Sequence, residues 1–487
     1  MTSPGNSVTA DPVVERVDVE PVNAAEKRSL YQKRRKIFPR KARGRFRKLK
    51  WGVLAATLGV YYLLPWLRWD RGPNAPDQAV LVDFPGQRFY FFFIEIWPQE
   101  IYFVTGLLIV AALALFLVTS IAGRVWCGYT CPLTVWTDLF IWVERLIEGD
   151  RNARLRLNDA PWSAQKLRKR ILKHAAWLVI ALCTGGAWVF YFADAPTLAR
   201  QLVAFDAPLV SYIFIGLLTF TTYMLAGHAR EQVCTYMCPW PRIQGAMLDR
   251  HSLLVSYRAW RGEPRGSHKK GDSWEGRGDC IDCNSCVVVC PMGIDIRDGE
   301  QLECINCALC IDACDEVMDK VGRPRGLIAY DTVAGLETRT AGAASRPRFV
   351  RPRTIVYALL IAVAGAIMLV ALLSRSDTDV TVLRDRNPLF VKLSDGNVRN
   401  GYTVKILNKQ NRPRTFSLSA DGLAGAGLSI VGDDDLSVAV DADALRSIRV
   451  YVTAPGDGAS VADFSLTVSD VADGAVYRHA TTFRRAR

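Results

Sequence analysis

Eight of the 13 cysteines in this 487-residue chain fall between positions 280 and 314, in two copies of one spacing. The first copy is Cys280-x-x-Cys283-x-x-Cys286-x-x-x-Cys290, followed by Pro291, and the second is Cys304-x-x-Cys307-x-x-Cys310-x-x-x-Cys314. A tight CxxCxxC turn supplies three thiolates and a distant cysteine the fourth, the set that a four-iron cluster needs. Two copies predict two [4Fe–4S] clusters, with the fourth ligand exchanged because the chain folds back on itself. Cys280, Cys283, Cys286 and Cys314 then hold one cluster, and Cys304, Cys307, Cys310 and Cys290 the other. Zinc sites use CxxC pairs rather than repeated quartets, and a disulfide framework belongs to an oxidising compartment. Asp315 follows the second quartet where a proline follows the first, a departure not expected to affect ligation.

Charge is distributed unevenly. Half of the residues are hydrophobic, yet the formal net charge is +13. Residues 27–50 carry a run of Lys and Arg without an acid, while residues 51–67, 101–123, 175–193, 207–227 and 354–374 carry no charge at all. Each of these five segments is long enough to cross a hydrocarbon core about 30 Å thick. Trp51, Trp66, Trp97 and Trp177 stand near segment ends, where an interfacial aromatic belt lies. The expected fold class is a multi-domain membrane protein: a bundle of five transmembrane helices, an inserted ferredoxin-type unit and an all-β tail. The expected boundaries are a basic arm over 1–50, disordered in its polar first part (1–26), and two helical hairpins within 51–260. A ferredoxin-type domain over 270–330, a fifth span over 354–374 and a tail over 380–487 complete the chain. A cleaved signal peptide is not expected, because the basic region is too long and no cleavage site follows the first apolar run.

Flanking charge sets the expected orientation. The 27–50 run stays in the cytoplasm, beside lipid headgroups rather than nucleic acid. The 124–174 loop, rich in Lys and Arg, and the 228–353 region face the same side, while 68–100, 194–206 and the tail face outward. The quartets then lie in a reducing compartment.

A second repeat follows the second and fourth apolar segments: Cys127-Gly-Tyr-Thr-Cys131-Pro132 and Cys234-Thr-Tyr-Met-Cys238-Pro239. Four thiols at equivalent positions of two hairpins can be pooled. Cys131 is expected to cap an amphipathic helix that begins at Pro132 and buries Val135, Trp136, Leu139, Phe140, Val143 and Ile147. A helix N-terminus, with Arg124 and Arg230 nearby, lowers a thiol pKa, so Cys127, Cys131, Cys234 and Cys238 are candidates for redox chemistry or for Cu(I). Buried cysteines acting as small hydrophobes are the alternative, and the one preferred for Cys183. His174, His228 and His251 read as headgroup-contacting side chains, and Met224 and Met237 as packing residues. No histidine pair stands at matching depth on two spans, so haem is not expected.

Beyond Val380 the pattern alternates with period two, as over Tyr402–Leu407, Thr415–Leu418, Leu436–Val440, Ser447–Val452 and Ala462–Val468. Roughly seven strands with turn residues between them suggest an immunoglobulin-like sandwich.

The order of parts resembles the cytochrome c oxidase accessory protein family, called CcoG, FixG or RdxA. The resemblance rests on Phe89–Gln99 (FYFFFIEIWPQ), both CxxxCP motifs and the double quartet, and covers nearly all of the chain from about Tyr31. It implies reduction of Cu(II) to Cu(I) for assembly of a cbb-type oxidase, with copper held transiently at Cys127, Cys131, Cys234 and Cys238. The partners it implies are membrane lipids, a cytoplasmic electron donor, copper chaperones or transporters, and oxidase assembly factors. Two other readings remain: a NapH- or NosR-like membrane ferredoxin exchanging electrons with quinol and a periplasmic reductase, and a non-catalytic copper carrier or assembly scaffold.

Overall fold

The computed structural model describes residues 14, 16–23, 36–73, 75–269, 271–410, 412–432 and 435–485. The chain divides into one unit formed by residues up to 67 with 78–368, and another formed by 68–77 with 369–487.

In the first unit, four helices among the described residues are long and apolar enough to cross a membrane: Pro98–Ala122, Ala164–Val189, Leu209–Ala229 and Pro352–Leu373. This corrects the expected count of five. The segment predicted over 51–67 is the C-terminal part of the helix Arg45–Leu63, followed by a 3-10 turn at Leu64–Trp66. That helix starts within the basic arm, and its first turns are tied to protein carboxylates rather than left apolar. The Phe46 and Arg47 amides donate to Asp312 at 3.2 and 2.7 Å, and Arg47 pairs with Asp138 at 2.8 Å. A carboxylate from a distant helix thus satisfies the free N–H groups and positive end of this helix.

The apolar helices meet through small residues. A Cβ on Gly185 would stand 2.7 Å from the Ile215 carbonyl, so Ala164–Val189 and Leu209–Thr222 approach at backbone distance. Beneath them Phe140, Val143, Trp177, Ala181 and Ala226 form a buried cluster, with Trp136 and Ile147 packed against it. Four of the six apolar positions expected on the Pro132–Glu148 helix therefore serve this core.

The loop expected over 68–100 contains a three-stranded antiparallel meander, Val80–Asp83, Arg88–Phe91 and Ile94–Ile96. The iron–sulfur unit begins earlier than residue 270, because Leu254–Tyr257 pairs antiparallel with Ile328–Asp331 and so brackets both quartets. Disorder over 1–26 does not hold for residues 16–23. The Val17 amide donates to the Cys283 carbonyl at 3.1 Å, and the Val22 and Asn23 amides donate to Gly293 at 2.8 and 3.2 Å. Residues 1–13, 15 and 24–35 lie outside the described residues.

A buried ion network ties the bundle together. Glu144 meets Arg154 at 2.8 Å and Arg230 at 2.9 Å, and Glu148 meets Arg170 at 2.9 Å and Lys173 at 3.1 Å. Burial raises the Glu144 carboxyl, but Arg230, Arg154 and Lys173 outweigh it and hold the group below the usual carboxylate range. A depressed carboxyl contributes stability above its unfolded pKa and loses it as pH falls through the folded value. Removing Glu144 would leave buried cations uncompensated. Glu144→Ala is expected to cost about 3–5 kcal/mol in chemical unfolding of the detergent-solubilised protein. A cost under about 1 kcal/mol would mean that the network behaves as a solvated one.

The second unit contains the expected sandwich, with nine strands among the described residues rather than seven. One sheet runs Gly427–Ile430, Ala444–Pro455, Asn397–Asn408, Thr378–Arg384, with Val391–Lys392 also on Asn397–Asn408. The other runs Ser437–Val440, Arg414–Asp421, Val461–Asp470, Val476–Arg484. Alternate residues Tyr402, Val404 and Ile406 meet Phe416, Leu418, Phe464, Leu466, Val468 and Phe483 between the sheets.

Candidate metal and electron-transfer centres

Both quartets wrap in the same way. Asp282 and Asn284, on either side of Cys283, have φ of 52° and 58°, and Asn306 and Ala308, on either side of Cys307, have φ of 52° and 60°. Left-handed residues are uncommon, least expected at an alanine, and such strain gathers at functional sites. The copies then diverge where their sequences do. Pro291 limits the first helix to Ser285–Val288, whereas Asp315 lets Leu309–Lys320 continue through Cys314. Asp315 meanwhile accepts the Gly326 amide at 2.9 Å.

Charge neighbours group some of the thiols within the two expected sets, but Cys310 has Cys286 as a neighbour beside Cys307, Cys304 and Cys290. Cys314 has Cys283 and Cys280 as its charge neighbours, while Cys304 has Cys307 and Cys290. A small cavity is lined by Cys290, Cys304, Cys307 and Cys310, with Cys286 of the other set also at its wall. Burial pushes Cys290 up to about 11 and Cys304 up to about 12, and raises Cys286 and Cys310 well above the ordinary thiol value. Thiols held this way stay protonated unless a cation compensates them, and iron ligation does so. Among the described residues no three His, Cys, Asp or Glu side chains converge tightly enough for a single ion. Cysteines gathered around one cavity suit a four-iron cluster. Arg297 stands by the first quartet, paired with Asp282 at 2.7 Å and Asp295 at 2.6 Å.

The CxxxCP repeat is a repeat of backbone as well as of sequence. Four residues before the first cysteine the chain reverses, at Gly123 (φ 61°, ψ −133°) and at Arg230 (φ 45°, ψ −116°). A side chain is strained there, and Arg230 is held by Glu144 and by its Nε–H on the Gly227 carbonyl at 2.8 Å. Each motif is then closed by one bond, from the second cysteine's amide to the residue before the first. Cys131 donates to Trp126 at 2.9 Å and Cys238 to Val233 at 2.7 Å. Each second cysteine precedes a proline and is extended, with ψ of 127° and 122°. Cys131 caps Pro132–Glu148 as expected, but in the second copy Pro239 is the cap of Trp240–Met247.

These turns bring the four thiols into one neighbourhood. Cys127 feels Cys131 and Cys238, and Cys234 feels Cys131, Cys127 and Cys238. Cys127 and Cys234 also pack in one cluster with Cys290, Cys304, Cys307 and Cys310. Close approach depends on Gly128, where a Cβ would lie 2.5 Å from the Ile305 carbonyl and 3.1 Å from the Cys307 backbone. The Tyr129 hydroxyl donates to the Cys307 carbonyl at 3.2 Å. One expectation is overturned: burial pushes Cys127 and Cys234 up to about 12, and for Cys127 the nearby Arg124 only partly opposes this. Both thiols lie inside packed protein, where loss of hydration outweighs a helix end or one guanidinium.

Two features escaped sequence reading. Gln244 is buried, and its Oε1 accepts from Cys127 Sγ at 3.2 Å. His174 and His228 do stand together, rings stacked 5.7 Å apart, with the Tyr223 hydroxyl 2.9 Å from His174 Nδ1. The expectation that no two histidines share a depth on two spans is thereby overturned. Cys183, expected to be a buried packing residue, is instead exposed on its helix.

The parts define a membrane iron–sulfur protein with a β-sandwich domain. Residues 229–333 match the family model of a 4Fe-4S dicluster domain, residues 104–150 that of a 4Fe-4S binding domain, and residues 368–485 that of the IG-like fold at the C-terminus of FixG. The chain is 55% identical to the nitrogen fixation protein FixG of Rhizobium meliloti (strain 1021), over 94% of each chain. It is 56% identical to the protein RdxA of Cereibacter sphaeroides, over 90% of this chain and 93% of that one. The chain belongs to the FixG/RdxA family. The ferredoxin-type protein NapH of Haemophilus influenzae is 22% identical over 44% of this chain.

Proposed function

We propose that the protein is an inner-membrane electron-transfer protein that reduces Cu(II) to Cu(I) at Cys127, Cys131, Cys234 and Cys238, in support of cbb-type cytochrome c oxidase assembly. The observation that carries this reading is the packing of Cys127 and Cys234, the first cysteine of each motif, against thiols of the second quartet. Clusters bound at the two quartets would supply single electrons. The four thiols supply soft ligands, which favour the reduced copper ion. They do not form a ready-made tetrahedral cage. Cu(I) accepts two-coordinate thiolate binding, so any adjacent pair of the four suffices. Gly128 and Tyr129 fix the distance between the copper thiols and Cys307. A cytoplasmic donor supplies the electrons, and copper chaperones or transporters and oxidase assembly factors are the partners.

Anaerobically reduced and desalted protein is expected to convert about two Cu(II) per chain, one for each one-electron centre, read with a Cu(I)-specific chromophoric chelator. A chain that carries its iron and reduces no copper would sink the proposal and leave a carrier or scaffold.

Orientation follows from charge. Alkaline phosphatase fused after Arg375 is expected to be active, and fused at Gly271 inactive. The opposite pattern would put the quartets outside.

A further inference from the structure

The chain ahead of the first helix alternates over Arg16-Val17-Asp18-Val19-Glu20 and crosses the iron–sulfur unit. Val17 and Val19 are half-buried, while Arg16, Asp18 and Glu20 are exposed, as a strand-like period of two requires. Val19 packs against the buried groups around both quartets, and Val17 against the one around the second. Hydrogen bonds then grip two loops. At the first, the Val17 amide donates to the Cys283 carbonyl, Asn284 Nδ2–H donates back to the Val17 carbonyl at 2.9 Å, and Arg16 pairs with Asp282 at 3.0 Å. At the second, the Val22 and Asn23 amides donate to the Gly293 carbonyl, and Asn23 Nδ2–H donates to the Met292 carbonyl at 2.6 Å. A Cβ on Gly293 would stand 3.3 Å from Val22 Cβ, so the segment lies against bare backbone there.

These two loops carry ligands assigned to different centres. Asp282, Cys283 and Asn284 form the turn of the first CxxCxxC run, whereas Met292 and Gly293 follow Cys290-Pro291, whose thiol is assigned to the second run. The first turn holds Asp282 and Asn284 at positive φ, a conformation that persists only where the surroundings enforce it. We infer that residues 16–23 are a clamp on the ligand loops of both centres, holding them in the shape that bears iron. Such coupling is reciprocal: whatever the clamp contributes to holding the clusters, the clusters return as stability of the clamp. The inference rests on the reading of the quartets as cluster ligands.

The test uses full-length protein in detergent, with its iron and sulfide content measured first. Hydrogen exchange of a peptide spanning 16–23, read by mass spectrometry, is expected to be slower by about tenfold or more in iron-loaded protein than after anaerobic chelation of the iron. Release of iron to a chelator is then followed in variants of the segment. Val17→Pro deletes the N–H that bonds the Cys283 carbonyl, and Asn23→Leu deletes the side-chain donor on Met292. Each is expected to take up iron anaerobically as the parent does and to release it about tenfold faster, the scale of one lost hydrogen bond. Asp18→Asn, on the exposed side, is expected to match the parent in both readings. Iron release at the parent rate in both clamp variants overturns the inference, as does exchange at 16–23 that is indifferent to iron. Parent protein that binds no iron overturns the reading of the quartets instead.

Discussion

Serine at Cys127 and Cys131, or at Cys234 and Cys238, is expected to abolish most copper reduction while leaving iron and sulfide unchanged. Serine keeps the size of the side chain but removes the soft, ionisable ligand. The eight quartet thiols lie elsewhere in the chain, and the turn that closes each motif uses backbone bonds that serine preserves. At metal sites even a supporting residue is worth about 10- to 100-fold, so the loss of two ligands should reach at least that. The four thiols share one neighbourhood, so either double variant alone should suffice. Gln244→Leu should have a smaller effect, because it removes the acceptor held by Cys127 and leaves the sulfur. Assays with purified protein, scored as Cu(I) formed per iron, separate these outcomes. Full reduction by both double variants would reduce the cysteines to packing residues.

Spacing and periodicity revealed some parts and hid others for identifiable reasons. The quartets were legible because four thiols on one short run have few other uses. The effect of the Pro291/Asp315 difference appears in helix length. The sandwich was legible from alternation, but Thr378–Arg384 and Val476–Arg484, which carry charges within their strands, were not among the runs it picked out. The first helix was misjudged because charge was counted against lipid, whereas Asp138 and Asp312 receive its cations and its free amides. The histidine pair was missed because His228 lies in the π-helical segment Tyr223–Ala229. A wider turn shifts depth and face away from the 3.6-residue period used to place it. The same widening appears in the second CxxxCP turn, Val233–Met237, whereas the first, Val125–Tyr129, is α-helical. Gln244 carried no signal in sequence: a lone amide in a short helix is common, and only the fold brings it to Cys127.

Replacement of Cys290 by serine should empty the site built from Cys304, Cys307 and Cys310 and spare that of Cys280, Cys283 and Cys286, although Cys290 belongs to the first copy in sequence. The cavity wall that Cys290 shares with the second copy motivates this, together with its charge neighbour Cys307. Iron should fall from about eight to about four per chain. Cys314→Ser should give the reciprocal loss, because Cys314 faces Cys283 and Cys280. The two variants will match in iron count, so the count alone does not distinguish crossed from uncrossed ligation. Copper does. The second site is the one packed against Cys127 and Cys234, and Cys290→Ser should therefore stop copper reduction even though one reducible centre remains. Cys314→Ser should keep a single-electron reaction with copper, about half of the parent yield for protein reduced beforehand. Equal copper yields from the two variants would show that proximity to the second quartet does not direct the electrons. The reverse order would show that ligation is uncrossed.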